Sequence, residues 1–99
     1  MYIQVRVEWN QANNETNKNK HGIDFETAQL VFDDPFCITF VERVTEGEER
    51  WHAIGSIENV IVLVVVHTHR LEGSDEVIRI ISARPATRRE RRLYAQAIG

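Results

Sequence analysis

Six arginines crowd the end of this chain: Arg79, Arg84, Arg88, Arg89, Arg91 and Arg92, half of its twelve Lys+Arg residues. From Arg79 to Arg92 they meet one acid, Glu90, so the segment carries +5. The whole chain carries −3, which leaves −8 for the remainder. Guanidinium groups are planar, permanently charged and shaped to meet phosphate oxygens two donors at a time. Concentrated on an otherwise acidic chain, they read as a site for a phosphate backbone or an acidic partner. The plain alternative is a solvated basic face balanced by acids elsewhere. Read on one helix, Arg84, Arg88, Arg91 and Arg92 occupy neighbouring rows, with Arg88 and Arg92 one turn apart.

The histidines can move protons near neutral pH. His21 follows Lys20 at a helix end, and His52 follows Trp51. His67 and His69 close an apolar strand two residues apart, so they share a face. A His-x-His pair can hold a metal, but no cysteine is near it. Its neighbouring acids, Glu72, Asp75 and Glu76, belong to the following turn, so no metal or other cofactor is expected. Trp9 reads as core. Trp51 sits between Arg50 and His52 and can pack or stack on a nucleobase. Tyr94 is open to three readings: core, base-stacker or acid/base. Asp33-Asp34 precedes Pro35 and makes a turn, and Glu42, Glu46, Glu48 and Glu49 surround another. No paired-carboxylate cleft, glycine-rich phosphate loop, GxSxG elbow or HExxH pattern is present.

Ninety-nine residues, 42% hydrophobic, suit one domain with a small core and a shallow groove rather than an enclosed cavity. The single cysteine, Cys37, excludes an internal disulfide and reads as a small packing residue. No leader-like segment opens the chain. The apolar run Val60–Val66 is far short of the roughly 20 residues of a membrane span. The expectation is a soluble, cytoplasmic protein.

The elements that must position these groups follow from periodicity. Tyr2–Trp9 alternates as a half-buried strand. Asn10 and Gly22 bracket an asparagine-rich segment as helix caps, predicting a short, marginal helix held by packing against its neighbours. Asp24 caps a second helix through Phe32, stopped before Pro35. Strands follow at Phe36–Arg43, Arg50–Ser56, Val60–His69 and Glu76–Ala83, with turns at Thr45–Glu48, Glu58-Asn59 and Leu71–Asp75. Pro85 opens the last helix. The fold class is α+β, in the order β-α-α-β-β-β-β-α. Two short N-terminal helices and one C-terminal helix pack on one face of a mainly antiparallel twisted sheet.

In order along nearly the whole chain, several short motifs resemble the BrnT toxin family. They are Trp9-Asn10, Lys20-His21-Gly22, Phe25-Glu26, Phe32-Asp33-Asp34-Pro35, Glu49-Arg50-Trp51 with Ile54-Gly55, Val64–Thr68, Ile78–Arg84, Ala86-Thr87 and Glu90-Arg91 through Tyr94. Asn10 stands where the family usually has Asp. The resemblance implies a toxin of a type II toxin–antitoxin system with a fold like the RelE-type ribonucleases, which cleaves RNA and arrests translation. It implies a BrnA-like antitoxin partner carrying a ribbon-helix-helix module, with DNA contacted only through that partner.

For RNA cleavage, the expected phosphate and charge-stabilising residues are Lys20, Arg79 and Arg84. His21 or His67 is the expected base or acid, with Tyr94 and Glu90 behind them. Trp51 is the expected base-stacker, and Arg88 and Arg91 further RNA contacts. Two other readings stand beside this one. One is a non-catalytic module that binds RNA or protein; the other is an inactive toxin relative serving in a repressor complex.

Overall fold

The computed structural model describes residues 4–99, so Tyr2 and Ile3 of the expected first strand lie outside the described residues. Along the chain run β1 (Val5–Trp9), α1 (Gln11–His21), α2 (Phe25–Ala28), a 3-10 segment (Gln29–Asp33), β2 (Ile38–Thr45), β3 (Glu48–Ile57), β4 (Ile61–Glu72), β5 (Asp75–Pro85) and α3 (Arg88–Ile98). The strands form one five-stranded sheet in the order β1-β5-β4-β3-β2. β2 to β5 pair antiparallel as successive hairpins, and β1 joins β5 in parallel. The architecture is α+β with a mostly antiparallel sheet; the helices depart from expectation in four ways.

First, α1 is stable without an apolar face. Asn10 accepts the Asn13 amide at its start, and Gly22 ends it in the left-handed conformation at φ 73°. Its one buried residue is Asn17. The helix is therefore docked by hydrogen bonds, not by packing of side-chain hydrocarbon. Second, the helix expected from Asp24 to Phe32 is α-helical only to Ala28 and then tightens to 3-10. Phe25, Ala28 and Val31 are all fully buried. A three-residue interval matches the 3.0 residues per turn of a 3-10 helix, which keeps all three pointed at the sheet.

Third, the last helix does not begin at Pro85. Pro85 pairs with Leu63, and the Ala86 amide donates to the Val62 carbonyl at 3.0 Å, so the sheet ladder runs on. Thr87 is the true cap: its hydroxyl accepts the Glu90 amide while the Glu90 carboxylate accepts the Thr87 amide. Arg84 is thus a strand residue, not the first of a helical row of arginines.

Fourth, helices cover both faces of the sheet. Ala53, Leu63 and Val65 pack with Phe25, Ala28 and Val31, whereas Ile54 and Val64 pack with Ala86 and Tyr94. Neighbours along a strand point to opposite sides. Hence α2 and the 3-10 segment lie on one face and α3 on the other. The unbroken apolar run of β4 requires this, because residues of both parities need cover. Gly55 lets the first layer close: a Cβ there would stand 2.8 Å from Val31 Cγ1 and 3.1 Å from the Val31 carbonyl oxygen.

Candidate active site

The site is built on an irregularity in β5. Val66 pairs with Ser82, but His67 pairs with Ile80, so Ile81 is an extra residue without a partner. A bulge of this kind reverses the facing of every residue beyond it. Arg79 pairs with Thr68 and Arg84 with Val64. Both partners lie on the α3 face, and so do both arginines.

β1 pairs with β5 only as far as Ile80. Beyond that point α1 takes its place at the sheet edge. The Asn17 carboxamide donates to the Ala83 carbonyl at 2.9 Å and accepts the Ala83 amide at 3.0 Å, as a neighbouring strand would. This brings Lys20 and His21, at the end of α1, beside Ser82 and Arg84 around a cleft of about 450 Å³. Lys20 is exposed and His21 half-buried.

Arg84 is held in a bidentate pair with Glu90, at 2.7 and 2.9 Å. The Arg84 hydrogen bonds hold the Glu90 carboxyl down to about 2; burial opposes this and the bonds from Thr87 add to it. Glu90 is therefore an ionised anchor that orients Arg84 and caps α3, unsuited to exchange protons near neutrality. On its other side Arg84 borders a second hollow, with His52, Phe40, Thr87, Arg89 and Leu93. His52 pairs with Val66, which pairs with Ser82, so all three lie in one row on the α3 face. Burial is the main cause that lowers the His52 pKa. Glu42 opposes it, and Arg84 lowers it further. Its imidazole is neutral at pH 7 and able to accept a proton.

Three expected site residues lie elsewhere. His67 is on the opposite face, 3% exposed, with Phe32 edge-on and Trp51 stacked on its ring. Its Nδ1 is 3.3 Å from the Thr68 carbonyl and its Nε2 has no partner among the described residues. Burial pushes its pKa down to about 4, so it is a neutral core residue. Trp51 shares that face, away from the arginines, its ring also meeting His69 edge-on. Tyr94 is buried beneath α3, its hydroxyl donating to Asp34 and lying 3.0 Å from Ser56 Oγ. Burial first, then Asp34, raises its pKa, so it remains a phenol. Burial alone would raise Asp34 too. Hydrogen bonds from the Ser56 amide, Tyr94, the Phe36 amide and the Ser56 hydroxyl outweigh it and keep the carboxylate ionised. This network ties the 3-10 segment to β3 and α3.

The outer arginines are dispersed. Arg88 is exposed on α3, and Arg91 donates to the Ala86 carbonyl at 2.9 Å. Cys37 is half-buried just ahead of β2, its thiol pushed up to about 11 by burial and by Asp34. Among the described residues no group of three or more His, Cys, Asp or Glu could hold a metal ion.

A family model described as "Ribonuclease toxin, BrnT, of type II toxin-antitoxin system" matches residues 9–90. The chain belongs to the BrnT family. Among solved structures, it is similar to the crystal structure of the Brucella abortus ribonuclease toxin BrnT. The identity is 25% and the TM-score 0.63, over 86% of this chain and all of that one. A comparison with curated proteins gives no match. A type II family places a protein antitoxin among the partners. Among the described residues no helix is long and apolar enough to cross a membrane.

Sequence reasoning missed Asn17, His52 and the bulge at Ile81. Asn17 left a faint signal, a polar helix whose asparagines needed partners. His52 left none, since its facing depends on strand register.

Proposed function

We propose that this chain is an endoribonuclease that cleaves RNA without a divalent metal and so inhibits translation. The observation that carries the reading is the approach of Lys20 and His21, from α1, to Arg84 of β5 across one open cleft. The family supports the same chemistry.

In the proposed reaction, neutral His52 takes the proton of a 2′-hydroxyl. The 2′-oxygen attacks the adjacent phosphorus, and the charge gathering on the phosphorane oxygens is met by Arg84 and Lys20. His21 protonates the departing 5′-oxygen. The products are a 2′,3′-cyclic phosphate and a free 5′-hydroxyl. Two strand spacings, roughly 10 Å, separate His52 from Ser82 on the backbone, and Arg84 lines both the His52 hollow and the Lys20–His21 cleft. His52 thus takes the part first expected of His67. A requirement for the 2′-hydroxyl restricts the substrate to RNA.

We also assign the antitoxin partner a BrnA-like form with a ribbon-helix-helix module, through which alone the pair would meet DNA. The deciding experiment incubates purified protein with RNA and with its 2′-deoxy counterpart, each with and without EDTA. Cleavage of RNA alone, insensitive to EDTA and leaving cyclic phosphate ends, is expected. Intact RNA, or cleavage abolished by EDTA, overturns the reading.

A further inference from the structure

Past Ser82 the α3 face continues into a second basic hollow of about 380 Å³, lined by Asn13, Arg50, Thr68, Arg70 and Arg79, with Glu48 its acid. The guanidinium groups come from three adjacent strands. β4 carries Thr68 and Arg70, two and four residues past Val66 and so on its face. β5 carries Arg79 opposite Thr68, and β3 carries Arg50 two residues before His52. Among the described residues Arg79 takes part in no ion pair. Arg70 meets Glu8 at 2.9 Å and Glu72 at 3.0 Å, and Arg50 meets Glu48 at 3.7 Å. Arg70 and the three acids are well exposed, and such pairs exchange readily for a phosphate.

Asn13 and Ile81 line both this hollow and the Lys20–Arg84 cleft, so the two adjoin. Arg79 and Arg84 are five residues apart along β5. Their partners Val64 and Thr68 are four residues apart on β4, about 13 Å at 3.3 Å per residue, so the two arginines serve separate stretches of the groove.

We propose that the Arg50–Arg70–Arg79 hollow is a second phosphate site. It takes a backbone phosphate of the same single RNA strand, beyond the nucleotides at the bond being cut. The inference rests on the ribonuclease reading and extends it. The substrate is a strand of several nucleotides, gripped at two separated phosphates, and a dinucleotide is cut poorly because it reaches only one.

The test uses Arg50→Gln, Arg70→Gln and their double variant. Binding of a short 2′-O-methyl oligoribonucleotide, which cannot be cleaved, is measured over a salt series. Each arginine lost should flatten the slope of log affinity against log salt by about 0.7. Cleavage of long RNA should fall through a raised KM, while the slow cleavage of a dinucleotide is unchanged. Arg50→Lys, which keeps the charge, should restore the slope. An unchanged slope in the double variant overturns the proposal. So does equal loss on dinucleotide and long RNA, or loss of neutralisation by the antitoxin with RNA binding intact. If the wild-type chain cuts nothing, the ribonuclease reading fails, while the salt slope still decides whether the hollow holds phosphate.

Discussion

Arg79 and Arg84 stand five residues apart on one strand and yet face the same way, because Ile81 has no partner across the ladder. An odd interval on an unbroken strand would send them to opposite faces. Arg84→Ala should lower kcat on RNA by about 10²–10³-fold, the usual loss when one donor to transition-state charge is removed. The check is single-turnover cleavage beside circular dichroism of the variant; an Arg84→Ala chain that is folded and fully active refutes the role of Arg84.

His67 offers a separation of structure from chemistry. Its pKa is near 4 in the folded chain, below the ordinary 6.5. The unfolded chain therefore binds more protons between those values, and stability falls as pH drops from about 6.5 to 4. His67→Phe removes the group that protonates. Urea melts across that window should become flatter in the variant, and RNA cleavage should persist. A variant that melts like the wild type at every pH contradicts this account.

The Arg84–Glu90 pair has its own window. Glu90 is depressed from 4.5 to about 2, so its stabilisation is whole above 4.5 and disappears as pH falls toward 2. Glu90→Gln should cost about 1–2 kcal/mol at pH 7, counting the hydrogen bonds to a charged partner, and nothing near pH 2. Calorimetric Tm values at both pH values test this, and an equal loss at both would argue for packing instead.

Tyr94→Phe keeps the ring in the core and removes the hydroxyl from Asp34 and Ser56. A loss of about 1–2 kcal/mol is expected, as for a buried hydrogen bond to a charged acceptor, with kcat retained. If activity vanishes while stability holds, Tyr94 belongs to the chemistry after all.

Asn17→Ala strips both backbone groups of Ala83 of their partner at a site 5% exposed. The cost should be about 2–3 kcal/mol. RNA cleavage should fall further than that instability explains, since Lys20 and His21 depend on the same contact. Amide exchange at Ala83, faster in the variant, is the direct readout.

Much of the framework could be read from the residues alone. Asn10, Gly22 and Asp24 announced the helix ends because caps act locally. Thr87 and Glu90 carry an equally local capping-box signal, which competes with Pro85 for the helix start and wins because Pro85 continues the β5 ladder. The apolar run of β4 already implied two covered faces. The site was less legible. His52 and His67 look alike along the chain, and only strand pairing sends one to the groove and the other to the core. The bulge that aligns Arg79 with Arg84 arises from how β5 meets β4, which no window of β5 discloses.

The Asn17–Ala83 contact has one more consequence. Where β1 stops, β5 would otherwise present an open backbone slot to any foreign strand. The carboxamide plugs that slot. Among the described residues the open edges are β2 and the outer side of β1, and the Lys20–Arg84 cleft lies on neither, although Phe40 and Glu42 of β2 border the His52 hollow. An antitoxin that adds a strand to β2 would sit beside His52 without covering that cleft; one that covers Lys20 and Arg84 must come over the top, with side chains rather than backbone.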